Sequence, residues 1–174
     1  MKKLVKLAAV VLAVCTVLMV FTGCGAKKEA KVDLSKYPKD INAWTAADLK
    51  DYLVNAGIID EEKQGFIFMD VSQNELEAMG IDSGFLYIDT TAASVMDTVF
   101  FYDPAKEGNS EKIAAAASEK VFSIEGQVVS ELDCVLGGFL FSYSQGTDED
   151  HIAAFTKALK DIEEGLGIKA ALLK

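Results

Sequence analysis

Thr98-Val99-Phe100-Phe101-Tyr102-Asp103, halted by Pro104, is the segment on which the fold turns. Five of its six residues are β-branched or aromatic, types that suit a pleated backbone, and proline cannot extend a strand's hydrogen-bond ladder. Downstream, Asn109 and Ser110 can cap a helix from about 111 to 124. Ile113, Ala116, Ala117, Val121 and Ile124 would form its buried stripe, and Gly126 its end. Leu132 to Tyr143 reads as a long β-like run in which Gly137-Gly138 suggests a bulge or a close backbone approach. Thr147 then caps a last helix, where Ile152, Phe155, Leu159, Ile162 and Leu166 recur at helical spacing before Gly165 and Gly167 break it. Strand, helix, strand, helix predicts an α+β fold: a small sheet of three to four strands packed with about three to four amphipathic helices, in two layers. The connection between the two strands is long enough for a parallel crossover, and the pairing order stays open.

Upstream, Thr45-Ala46-Ala47-Asp48 has capping-box spacing. Leu49, Tyr52, Leu53 and Ala56 follow at helical intervals until Gly57. Phe66 to Val71 is a short β-prone run, and Ser72 to Glu75 is a second capping box for a short helix ending at Gly80. Phe85 to Thr90 is either another strand or the start of a helix continuing through Ala92-Ala93; periodicity cannot arbitrate at that length.

The 174 residues are one domain's worth, 51% hydrophobic and 25% charged, a globular composition. All 17 basic residues are Lys. Residues 41–174 hold nine Lys against 24 acids, net −15, whereas 25–40 hold five Lys against three acids, net +2. An acidic body without Arg repels phosphate backbones and lacks the fork that reads guanine, so nucleic acid is a poor partner.

Residues 1–24 carry the sharpest signal. Lys2, Lys3 and Lys6 precede a largely apolar stretch from Leu7 to Phe21, and the segment closes with Thr22-Gly23-Cys24. Fifteen residues are short for a membrane-spanning helix, which needs about 20. The pattern resembles the lipobox signal peptide of bacterial lipoproteins, with Phe21 where Leu is usual. The resemblance implies cleavage between Gly23 and Cys24 and a diacylglyceryl thioether on Cys24. Two buried acyl chains, at about 0.8 kcal/mol per methylene, hold a protein stably on a membrane. Cys15 as the modified residue and an uncleaved anchor are the competing readings. The expected organisation is a signal peptide at 1–23, a lipidated Cys24 with a flexible Lys-rich stem to residue 42, and one globular domain over 43–174.

A second, looser resemblance runs from Leu76-Glu77-Ala78-Met79-Gly80-Ile81-Asp82, through residues 97–106, to residues 139–159. The layout is similar to an uncharacterised domain of small lipoproteins from Gram-positive bacteria. It implies a lipoprotein with an α+β fold and assigns no functional residue.

Candidate chemistry is sparse. Asp148, Asp150 and His151 (the one His) stand together as metal-ligand types, but consecutive helical residues point in different directions, and an acidic first turn suits a helix dipole. Asp70, Asp89 and Asp103 each close an aromatic-rich run and could converge on calcium or act as an acid–base pair. Neighbouring antiparallel strands would separate such ends by roughly 15 Å. Cys134 has no partner for a disulfide in the mature body and reads as a buried small hydrophobe. There is no phosphate loop, dinucleotide fingerprint or nucleophile elbow, so no cofactor is expected. The aromatics of the runs at 66–71, 85–90, 98–103 and 132–143 read either as core or as an outer docking patch. The expectation is a lipid-anchored, non-catalytic extracytoplasmic domain that binds a surface protein or small ligand. The alternative is a small envelope enzyme of hydrolase type, or a metal-binding protein, using Asp and His151.

Overall fold

The computed structural model describes residues 31–92, 94–144, 147–168 and 171–172; the expected signal peptide at 1–23, with Cys15, and Cys24 lie outside them. Four α-helices are described: α1 (Ala46–Asn55), α2 (Gln73–Met79), α3 (Asn109–Glu119) and α4 (Glu149–Leu166). Both capping boxes form, with Thr45 and Asp48 exchanging hydrogen bonds at the start of α1 and Ser72 and Glu75 at the start of α2. The N-cap of α4 is Asp148 rather than Thr147; the Thr147 hydroxyl instead donates to the carbonyls of Ser144 and Met96.

The strands are β1 (Phe66–Asp70), β2 (Ser83–Asp89), β3 (Ser94–Phe101), β4 (Val121–Ile124), β5 (Gln127–Glu131), β6 (Cys134–Leu136), β7 (Phe139–Tyr143) and the two-residue β8 (Ala171–Leu172). The main sheet runs β1-β2-β3-β7-β6-β8, every neighbouring pair antiparallel, and β4-β5 forms a separate hairpin. The architecture is α+β, with more strands than the three to four expected. Leu132 to Tyr143 is not one bulged strand: Leu136 pairs with Phe139 across a two-residue turn in which Gly137 takes a positive φ of 55°. The run at 85–90 is strand, and the helix expected to reach 124 stops at Glu119, where Lys120 turns left-handed and Val121 starts β4. The segments at 98–103 and 139–143 lie side by side and antiparallel, with no parallel crossover between them.

Two layers become three. Val99 and Phe101 face one core, with Leu49, Tyr52 and Leu53 of α1 and Phe155, Leu159 and Ile162 of α4. Phe100 and Tyr102 face another, with Leu76 of α2, Ala116 of α3, and Phe122. A strand buried on both sides reads as an unbroken apolar run, which is what residues 98–103 are. The aromatic runs are therefore mainly core. The second face is left partly open at its β1 end, where Ile67 and Met69 are 46% and 44% exposed.

Part of the expected flexible stem, from about residue 34 to 42, is folded onto the core. Leu34–Lys36 and Ile41–Ala43 form two 3-10 turns, each preceded by an Asp that accepts a backbone N–H. Tyr37 and Ile41 are buried, and Tyr37 stacks on Trp44 with centroids 4.8 Å apart. Lys31–Lys174 forms one compact unit that holds every described residue of both cores.

Candidate functional site

Asp97 and His151 form the most unusual polar contact of the interior. Asp97 lies in β3 beside a bulge, where Met96 is the extra residue opposite Tyr87 and Ile88. It is 1% exposed. His151, in the first turn of α4, places Nε2 2.7 Å from Asp97 Oδ2, and among the described residues Asp97 Oδ1 has no partner. Burial pushes the Asp97 carboxyl above the usual carboxylate range, against the opposing hydrogen bond and charge of His151. The rings of Tyr87 and Phe155 flank the imidazole at 6.1 and 6.2 Å. Among the described residues, no hydroxyl or thiol is hydrogen-bonded to it.

The other sequence candidates disperse. Asp148 accepts the backbone N–H of Asp150 at 3.1 Å, Asp150 is exposed, and His151 turns inward to Asp97, so the three do not converge. Among the described residues, no group of three His, Cys, Asp or Glu side chains is placed to hold a metal ion. Asp70 pairs with Phe85 and Asp89 with Phe66, at opposite ends of the β1-β2 ladder. Asp89 accepts the Thr91 hydroxyl at 2.6 Å and backbone N–H at 2.8 Å, and Asp103 accepts the Ala105 N–H at 2.9 Å; both close turns. Cys134 is buried, and burial pushes its thiol up to about 12, which leaves it a poor nucleophile at neutral pH.

Asp82, in the Gly80-Ile81-Asp82 turn, carries no sequence signal of function, and it is a structural node. One carboxylate oxygen accepts Lys106 Nζ at 2.6 Å; the other accepts the Asp103 N–H and Asn109 Nδ2, both at 2.7 Å. Burial works against its charge, yet these donors together hold the carboxyl below its usual range. The node fixes the loop between β3 and α3.

That loop forms one wall of an open cleft of about 850 Å³. The cleft runs between the segment 40–45, the end of β3, the Gly137 turn and one face of α3. Its accessible apolar surface comes from Pro104, Ala105, Ile113, Ala114 and Ala117, above buried Trp44 and Phe101, and its polar groups include Asp40, Asp103 and Ser110. Among the described residues, no Lys lines it. Sequence reading misses the cleft because its walls come from four separated segments.

No protein-family model, curated protein or solved structure matches the chain. Among the described residues, no helix is long and apolar enough to cross a membrane.

Proposed function

We propose that the chain is a lipoprotein held on the extracytoplasmic face of a membrane by a diacylglyceryl group on Cys24, and that its domain is a non-catalytic binding module. The cleft carries the binding part of this reading. Its volume falls in the range of small-ligand sites, roughly 300–1,000 Å³, and it combines apolar walls with a few polar groups. With Asp40 and Asp103 in the lining and no Lys among its described residues, it favours a ligand with an apolar body and a cationic or neutral hydrogen-bonding head. The anchoring part rests on residues 1–24, whose charge, apolar length and Thr22-Gly23-Cys24 ending fit a lipobox.

The test compares a linear alkylamine with a carboxylic acid of equal length by ligand-observed NMR, using the Lys31–Lys174 fragment. The amine should broaden and the acid should not. Ala114→Trp, which fills the cleft from an exposed helical position, should abolish the broadening. Equal behaviour of the two probes, or binding indifferent to Ala114→Trp, removes the cleft from the account.

A second reading, a small envelope enzyme, draws on the Asp97–His151 pair, since a buried carboxylate that orients an imidazole is one part of acid–base machinery. The binding reading has the wider support: the pair is enclosed by aromatic rings and separate from the cleft lining.

A further inference from the structure

β1 is an edge of the main sheet: among the described residues it pairs with β2 alone. In an antiparallel ladder, alternate residues direct both backbone groups toward the partner strand. Thr90 N–H donates to Gly65 C=O and Val71 N–H to Gly84 C=O, which fixes residues 65, 67, 69 and 71 as the ones turned inward. Phe66, Phe68 and Asp70 therefore turn their groups outward. The Phe66 N–H is taken by the Lys63 carbonyl at 3.0 Å, which leaves the Phe66 C=O and both groups of Phe68 and Asp70 at the edge.

The side chains of this edge are complementary to their own two-fold image. Ile67 and Met69, both exposed, lie on the partly open second face. Phe66, Phe68 and Asp70 share the other face, where Lys63 Nζ sits 3.8 Å from the centroid of the Phe66 ring. An antiparallel pairing centred on Phe68 puts Ile67 opposite Met69 of a second copy, and Phe66 opposite its Asp70. Two hydrogen bonds then cross at Phe68, and each Asp70 N–H reaches a Phe66 carbonyl. The Asp70 carboxylate of each copy arrives beside the Lys63 ammonium of the other. Exposed apolar surface, outward backbone groups and the Asp70–Lys63 charges match in the same register, and the Lys50 ammonium over the Phe68 ring at 3.9 Å is paired with Glu61 at 2.6 Å within its own copy.

We propose that the protein forms a two-fold dimer through β1, joining two sheets into one continuous sheet. The proposal is independent of the anchor and of the cleft. A five-residue strand contact is small against the 1,200–2,000 Å² typical of stable complexes, so the dimer is a weak one that grows with concentration.

Sedimentation velocity of the Lys31–Lys174 fragment at physiological salt, from micromolar to millimolar protein, tests it. The expected result is a monomer–dimer equilibrium. Asp70→Lys, which sets an ammonium group against that of Lys63 in the facing copy, should weaken the dimer by about tenfold or more. The double substitution Lys63→Asp with Asp70→Lys should restore it, as should mixing the two single variants. Both altered positions are exposed, so folding should be preserved, and circular dichroism checks this. A monomer throughout, a dimer indifferent to Asp70→Lys, or a failure of the charge swap to restore association overturns the proposal.

Discussion

Nε2 of His151 sits 2.7 Å from Oδ2 of Asp97, joining the first turn of α4 to the middle of the sheet. The contact ties the C-terminal helix to β3 through a carboxyl group whose second oxygen has no partner among the described residues. His151 is thus the group that makes a buried carboxylate tolerable there.

Replacing His151 by Ala leaves Asp97 buried without its partner. Breaking a buried pair from one side costs about 3–5 kcal/mol. Urea denaturation should show a loss of that order. A loss below about 1 kcal/mol would mean that water reaches Asp97 and solvates it.

The pH dependence of stability separates two carboxylates. Asp97 is raised in the folded protein, so its contribution is fully present below the ordinary aspartate range and declines as pH climbs through the higher folded value. Asp82 is lowered, so its contribution is present above the ordinary range and is lost as pH falls through the lower folded value. In thermal unfolding from about pH 3 to 7, Asp97→Asn should lose stability less than the parent protein as pH rises. Asp82→Asn should lose less as pH falls. Curves parallel to the parent would contradict both assignments.

Asp82→Ala removes one acceptor from three donors and leaves buried Asn109 with only its bond to the Asp103 carbonyl. A cost of about 2–3 kcal/mol follows from the lost charge-assisted bonds. The cleft wall formed by residues 103–105 should loosen with it, seen as faster amide exchange at Ala105 and Lys106.

Gly138→Ala tests the close approach of the β6-β7 turn to β3. A Cβ at position 138 would run into the Tyr102 carbonyl and the Phe101 ring, while Tyr102 N–H already donates to Gly138 C=O at 2.9 Å. Overpacking against backbone costs about 1–3 kcal/mol, measurable as a lower denaturation midpoint. An unchanged midpoint would show that the turn can shift.

The parts of the fold readable from sequence are those governed by local rules. The two capping boxes and the stripe Phe155, Leu159, Ile162 of α4 need only spacing, and all are realised. The helix after Ser110 reads too long because its end lacks a glycine. Lys120 takes the left-handed conformation at φ 59°, and Ile113, Val121 and Ile124 happen to keep a helical interval across that break. The hairpin that follows turns on Glu125 and Gly126, both at positive φ, of which only the glycine advertises a turn. Asp97 is illegible for a different reason. One acid in a β-prone run looks like a surface position, and only the tertiary placement of His151, 54 residues later, brings it a partner. The cleft is legible only once four distant segments meet.

The membrane anchor is the claim on which the functional setting stands, and mass spectrometry of the N-terminal peptide from protein isolated out of its native envelope tests it most directly. The expected result is a mature chain beginning at Cys24, its sulfur carrying a diacylglyceryl thioether and residues 1–23 absent. A free thiol at Cys24, or a peptide still joined to residues 1–23, would contradict it.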